Sequence, residues 1–188
     1  MWRLLLLLSA LSLAAVLIVR WWFGLRVLAR EGGRPCRCDL SRWMPAPNDT
    51  AVVHRAEESA SEFGRQLRLE ALAEWKVRAP KAVASRESSM RFGLAVPPLC
   101  GLVVVFAVFV AKIPVMGGIA IFLSATALAA VLGLLSLAPE LRAIATTARK
   151  LRENRSFSRS DDEDAVVACA VAHAWRESLP PILSLIQR

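Results

Sequence analysis

Apolar and polar positions divide the chain into three long apolar runs separated by two polar segments. The apolar runs cover residues 4–19, 92–111 and 115–137. A membrane-spanning helix needs about 20 apolar residues to cross a hydrocarbon core of roughly 30 Å. The pattern therefore predicts three transmembrane helices.

The first run has two possible interpretations. A leucine-rich run preceded by Arg3 is typical of a cleaved signal peptide as well as of a membrane anchor. Cleavage requires small residues after the apolar core, whereas this chain continues as RWWFGLR. Trp21 and Trp22 suit the headgroup belt at the membrane surface. We therefore interpret residues 1–23 as an uncleaved transmembrane anchor.

The second and third runs predict a helical hairpin, because only the short segment KIPV, which contains Pro114, links them. Three small residues recur every four positions on the third run: Ala125, Ala129 and Gly133. A stripe of small residues permits the close approach of another helix. That helix could belong to the hairpin itself or to a membrane protein partner.

The basic residues predict an orientation in the membrane. The chain carries a net charge of +8, and its mean hydropathy of +0.44 agrees with a membrane protein. Of 24 Lys and Arg residues, only Arg3 and Lys112 precede the first run or lie at the hairpin tip. The other 22 fall in residues 20–91 and 140–188, which the positive-inside rule places in the cytoplasm. The charge thus predicts topology and attraction to the lipid bilayer, and no nucleic-acid recognition motif is present.

The first polar segment predicts an irregular connector followed by a helix. Residues 26–50 contain Cys36 and Cys38 as a CRC motif and then several turn-forming prolines. Residues 57–77 carry apolar positions at helical spacing, and Pro80 is expected to end this amphipathic helix.

The second polar segment predicts two helices. Pro139 suits the first turn of a helix, residues 154–160 form a polar break, and an alanine-rich helix too charged to span the membrane follows. Only Thr50–His54 suggests a strand. The predicted fold is all-α, with three transmembrane helices and a small cytoplasmic helical domain. The predicted divisions are an anchor (1–23), a cytoplasmic connector and amphipathic helix (24–91), a transmembrane hairpin (92–138) and cytoplasmic C-terminal helices (139–188).

Familiar catalytic motifs are absent from the sequence, which has no GxGxxG, Walker A, GxSxG, HExxH or EF-hand loop. Cys36 and Cys38 are closer together than the thiols of most zinc sites, which predicts two reduced thiols. His54 and His173 are far apart in the sequence, and His173 is expected to be a packed or surface residue. The residues alone therefore predict no metal, cofactor or catalytic group.

Two segments flank the hairpin in an order that resembles a known family. ASEFGRQLR at residues 60–68 precedes it, and LAPELRAIATTARKL at residues 137–151 follows it. This order resembles the bacterial membrane-bound neutral zinc metallopeptidases, whose helix reading AHEVGHALQ precedes two membrane spans. In that family the helix after the spans opens LPxEF and supplies a glutamate ligand. The resemblance implies a location in the bacterial inner membrane.

The resemblance implies a role for each aligned position. Ser61 and Arg65 stand at the two histidine positions, Glu62 at the general base and Glu140 at the third metal ligand, while Gly64 matches the family glycine. Serine is a poor zinc ligand, and arginine has no lone pair to donate. The motif is therefore degenerate, and the chain is expected to bind no metal.

These departures predict an inactive relative that binds or scaffolds other proteins. The alternative is a small structural or assembly subunit of a larger membrane complex, in which Glu62 and Arg65 form an ordinary surface pair. In the first case a buried Glu140 would lack the positive charge of zinc, and Arg65 is expected to reach it in place of the metal.

Overall fold

A computed structural model of the protein describes residues 2–39, 43, 55–110 and 113–178. Within these ranges the fold is all-α apart from one pair of short strands, which confirms the predicted class. In chain order the elements are α1 (Trp2–Arg20), a π-helical turn (Trp21–Leu25), α2 (Arg26–Glu31), β1 (Pro35–Asp39), β2 (Arg55–Ser59), α3 (Ala60–Arg78), α4 (Pro80–Val110), α5 (Val115–Leu135), α6 (Ala138–Glu153) and α7 (Ser160–Glu177).

The described residues form two compact units. The apolar unit contains residues 2–20, 81–138 and 177–178, and the polar unit contains the described parts of 21–80 and of 139–176. Helices α1, α4 and α5 are long and apolar enough to cross a membrane. Their surfaces remain apolar where protein does not cover them, as at Leu4 and Phe106, which are 73% and 68% exposed. The chain is thus compatible with a multi-pass membrane protein.

Inside the apolar unit, α5 packs against both other long helices. Leu13 and Val16 of α1 bury against Ala127 and Ala130 of α5. On the side of α4, a Cβ added at Gly118 would lie 2.8 Å from Val104 Cγ1. Small residues on α5 therefore allow helix packing at short range.

The small-residue stripe on α5 is largely covered within the chain. Ala129 is fully buried, Gly133 is buried, and Ala125 is partly exposed. A Cβ added at Gly133 would lie 2.4 Å from the main-chain oxygen of Ser178, so only glycine fits there. The stripe therefore contributes to packing within this unit.

A buried arginine joins α4 to the end of α5. Arg86 is 5% exposed, and its Nη1 donates hydrogen bonds to the main-chain oxygen of Gly133 at 2.7 Å and to Ser136 Oγ at 2.6 Å. The last carbonyl groups of a helix lack partners within the helix. Arg86 supplies a hydrogen-bond donor to one of these carbonyl groups, at the end of the hairpin opposite its tip.

Two boundaries in the first polar segment differ from the expected ones. Residues 35–39 form β1, which pairs with β2 in antiparallel register from Pro35↔Ser59 to Asp39↔Arg55, so this part of the connector is regular. The amphipathic helix begins at Ala60, since Ser59 caps it by accepting a hydrogen bond from Glu62 N. Thr50–His54 and residues 44–49 lie outside the described ranges.

Helix α4 begins twelve residues earlier than the apolar run at Phe92. Pro80 occupies its first position, where a proline fits because no intrahelical N–H is required. Only Ala79 separates Pro80 from the end of α3. The helix then continues through Pro97 and Pro98 to Val110. The expected boundary between residues 91 and 92 therefore lies inside one helix.

In the polar unit, the strands, α6 and α7 pack around α3 and cover its buried face. An aromatic cluster of Trp43, Phe63 and Phe157 lies on it, with ring centroids 5.7 to 5.8 Å apart. Ile144 of α6 and Val166 of α7 are fully buried in the same unit. The predicted break at residues 154–160 is present, and Cys38 pairs with Phe157 in an isolated β-bridge there.

Candidate functional site

The candidate site combines the start of α3 with the start of α6, both in the polar unit. Ser61, Glu62 and Arg65 occupy the first two turns of α3, and Glu140 lies in the first turn of α6. The buried positions of α3 recur at helical spacing: Ala60, Phe63, Gly64, Leu67, Arg68, Ala71 and Trp75. Arg68 is one of these buried positions and Arg65 is not, so Arg68 is the arginine that reaches the interior.

Glu140 pairs with Arg68, not with Arg65. Arg68 Nε lies 2.7 Å from Glu140 Oε1, and the two residues are 7% and 1% exposed. The expected Arg65–Glu140 pair is wrong, because the Arg65 side chain is 59% exposed and its Nη2 lies 2.6 Å from Glu62 Oε1. Arg68, one turn further along α3, carries the charge that the buried carboxylate requires.

Glu62 and Arg65 form a surface pair of the ordinary i, i+3 kind. The hydrogen bond from Arg65 lowers the pKa of Glu62, and the positive charge of Arg65 lowers it further. A general base that takes a proton near neutral pH needs a pKa raised toward that range. The environment of Glu62 shifts its pKa the opposite way.

His173 of α7 lies beside the position of the first expected zinc ligand. Its Nε2 is 3.1 Å from Ser61 Oγ and 3.1 Å from the main-chain oxygen of Ser61. From the sequence alone His173 is expected to be a packed or surface residue. It lies 112 positions after Ser61, and no spacing pattern links the two residues. The fold of the polar unit brings α7 against α3 and makes His173 part of the site.

The residues at this site do not fit a zinc ion. Ser61 already shares a hydrogen bond with His173, Arg65 cannot donate a lone pair, and Glu140 is held by a guanidinium. Among the residues that the structure describes, no three His, Cys, Asp or Glu side chains are grouped so that they could hold a metal ion. A catalytic zinc site requires three protein ligands.

The thiols of the polar unit are buried. Cys36, Cys38 and Cys169 are unpaired by disulfides and at most 2% exposed. Burial raises the pKa of Cys38 to about 12 and that of Cys169 to about 11. Burial also raises the pKa of Cys36, whose Sγ lies 3.6 Å from the main-chain oxygen of Arg34. Protonated thiols are poor nucleophiles and poor metal ligands, so these cysteines are core residues.

Gly64 brings α3 and α7 close together beside the site. A Cβ added at Gly64 would lie 2.7 Å from Cys169 Cβ and 2.8 Å from the main-chain nitrogen of Ala170. Only a residue without a side chain permits this approach. The glycine that the sequence pairs with the family motif thus has a packing role in this fold.

Comparisons with known proteins found no match: no family model, no curated protein and no solved structure is significantly similar to this chain.

Proposed function

We propose that this chain is a three-span membrane protein that acts as a non-catalytic binding or scaffold protein and keeps the layout of a zinc metallopeptidase without its metal centre. One observation carries the proposal: the Arg68 guanidinium holds Glu140, the residue at the position of the third ligand, at 2.7 Å in a buried pair. Arginine stays charged under all physiological conditions. It therefore supplies the counter-charge of a metal without activating a water molecule.

The geometry around the Arg68–Glu140 pair favours a structural role for these residues over a role in hydrolysis. Zinc makes a nucleophile by lowering the pKa of its bound water to about 7, and no equivalent group stands at Ser61 or Arg65. Ser61 and His173 link α3 to α7 by hydrogen bonds, and Arg68 with Glu140 links α3 to α6. The former site would therefore fasten three helices into one rigid unit that other proteins could bind.

The distribution of charge supports a cytoplasmic position for the polar unit. With 22 of the 24 basic residues in residues 20–91 and 140–188, the N-terminus would lie outside and the C-terminus in the cytoplasm. We propose the bacterial inner membrane as the location, since the family that the sequence resembles is bacterial. Binding partners would then be cytoplasmic proteins or neighbouring membrane proteins.

Metal analysis of the purified full chain tests the proposal. We expect wild-type protein to contain no stoichiometric zinc and to leave casein intact. Stoichiometric zinc that Glu140→Gln removes would contradict the proposal, as would casein cleavage that Glu62→Gln abolishes.

Blue-native electrophoresis of the full chain in mild detergent tests the alternative role. A defined large assembly would favour the role of a complex subunit.

A further inference from the structure

An open groove runs between the C-terminal half of α3 and the first turns of α6. Two of its lining residues are close in sequence to the candidate site, since Ala71 lies one turn after Arg68 and Pro139 directly precedes Glu140. Its volume is about 240 Å³. Ala71, Trp75 and Ala143 contribute apolar surface, and Arg78 and Arg142 contribute positive charge. Drug-sized ligands occupy pockets of roughly 300–1,000 Å³, so this groove suits a smaller group.

The positive charge of the groove is only partly balanced by protein. Arg142 is exposed and forms no ion pair with any residue that the structure describes. The Arg78 side chain is 61% exposed, and its Nη2 lies 3.7 Å from Glu74 Oε2. Glu74, the one acidic residue among those that line the groove, is also bound by Lys150 Nζ at 2.7 and 2.8 Å. Among the residues that line the groove there are thus two guanidinium groups and one carboxylate, and Lys150 already binds that carboxylate.

Covalent connectivity keeps this charge close to the third apolar run. Arg142 follows Leu137, the last residue of that run, by five residues, which is at most roughly 8 Å along a helix. The headgroup layer on each side of a bilayer is about 5–8 Å thick. If α5 spans the membrane, Arg142 lies within reach of the lipid phosphates.

We propose that this groove binds the headgroup of an anionic phospholipid, with the phosphate between Arg78 and Arg142. Planar guanidinium groups bind phosphate oxygens through paired hydrogen bonds. Ala143 and the exposed edge of Trp75, which is 8% exposed, offer apolar surface to the glycerol carbons, while the acyl chains stay in the bilayer. The inference rests on the membrane-spanning part of the proposed function and not on the absence of catalysis.

Native mass spectrometry of the full chain in detergent tests the proposal. Phosphatidylglycerol is titrated against phosphatidylcholine with the same acyl chains, so that only the headgroup differs. We expect one phosphatidylglycerol to bind preferentially, and Arg78→Gln/Arg142→Gln to weaken its binding about tenfold or more. The matched control is Arg37→Gln/Arg149→Gln, which removes two arginines that are 75% and 82% exposed in other parts of the polar unit.

The outcomes distinguish a bound lipid from a free anion and from a general charge effect. Equal binding of the two lipids would overturn the proposal, as would equal loss in the groove variant and the control variant. Full displacement of the lipid by millimolar inorganic phosphate would show that free phosphate, not lipid, is the ligand. Extraction of the protein from membranes by alkaline carbonate would contradict the spanning helices instead, so failure of the proposed function is detected separately.

Discussion

Arg68 donates a hydrogen bond of 2.7 Å from its Nε to Glu140 Oε1, and the two residues are 7% and 1% exposed. The pair joins α3 to α6 across a stretch of chain that holds two of the apolar helices. A buried charge that loses its partner is strongly destabilising, whereas a buried pair replaced as a whole can be neutral. This asymmetry makes the pair testable.

Removing only Arg68 should destabilise the polar unit severely. Arg68→Met leaves the Glu140 carboxylate buried without its guanidinium, which costs about 3–5 kcal/mol. For a chain of this length that corresponds to a fall in melting temperature of roughly 6–20 °C. Thermal unfolding in detergent, followed by circular dichroism, measures the change.

The double variant Arg68→Met/Glu140→Leu is the control, since it removes both charges and should recover most of the lost stability. Arg65→Met should leave the melting temperature close to that of wild type, because Arg65 and Glu62 are exposed. If Arg65→Met proved as damaging as Arg68→Met, the assignment of the buried pair to Arg68 would be wrong.

The helices were predictable from the sequence because hydrophobic runs and helical spacing reflect local constraints. Residues 115–137 predict α5 within two residues at its end, and Pro139 predicts the start of α6. The strand at Pro35–Asp39 was not predictable in this way. Its partner at Arg55–Ser59 is distant in the chain, and pairing rather than alternation defines it.

Only part of the site was predictable, because the type of a residue indicates its chemistry but not where its side chain points in the fold. A carboxylate at residue 140 predicts a need for a cation, and α3 offers arginines at both 65 and 68. The choice depends on which arginine shares the buried face of α3 with Leu67 and Ala71. A small rotation of α3 about its axis would change which of the two arginines is buried. The contact of Ser61 with His173 depends on the packing of α3 against α7, which no local pattern encodes.

Adding one methyl group at Gly64 should destabilise the contact between α3 and α7. Gly64→Ala would place a Cβ 2.7 Å from Cys169 Cβ, and overpacking of this kind costs about 1–3 kcal/mol. Gly33→Ala is the matched control, since no heavy atom lies within 4 Å of the added Cβ. Thermal unfolding of both variants measures the difference, and equal midpoints would show that the helices are not in close contact.

The buried thiols should make the protein less stable at high pH. The pKa values of Cys38 and Cys169 are about 12 and 11 in the fold, against an ordinary value of 9.0. Above pH 9 the unfolded chain loses these protons while the native state keeps them, so stability falls as pH rises from 9 towards 12. Denaturant unfolding at pH 8 and pH 10.5 measures the fall. Cys38→Ala/Cys169→Ala should reduce it, and an unchanged fall in that variant would rule out the thiols as its cause.

Cysteine accessibility should reveal on which side of the membrane the polar unit lies. Ser158 is exposed in that unit, so Ser158→Cys is expected to react with an impermeant maleimide only after the inner membrane is permeabilised. Val115, which begins α5 at the hairpin tip and is 62% exposed, provides the opposite control through Val115→Cys. That cysteine should react in intact cells treated to open only the outer membrane. The native thiols of the polar unit add little background because they are buried, and labelling of Ser158→Cys in intact cells would reverse the proposed orientation.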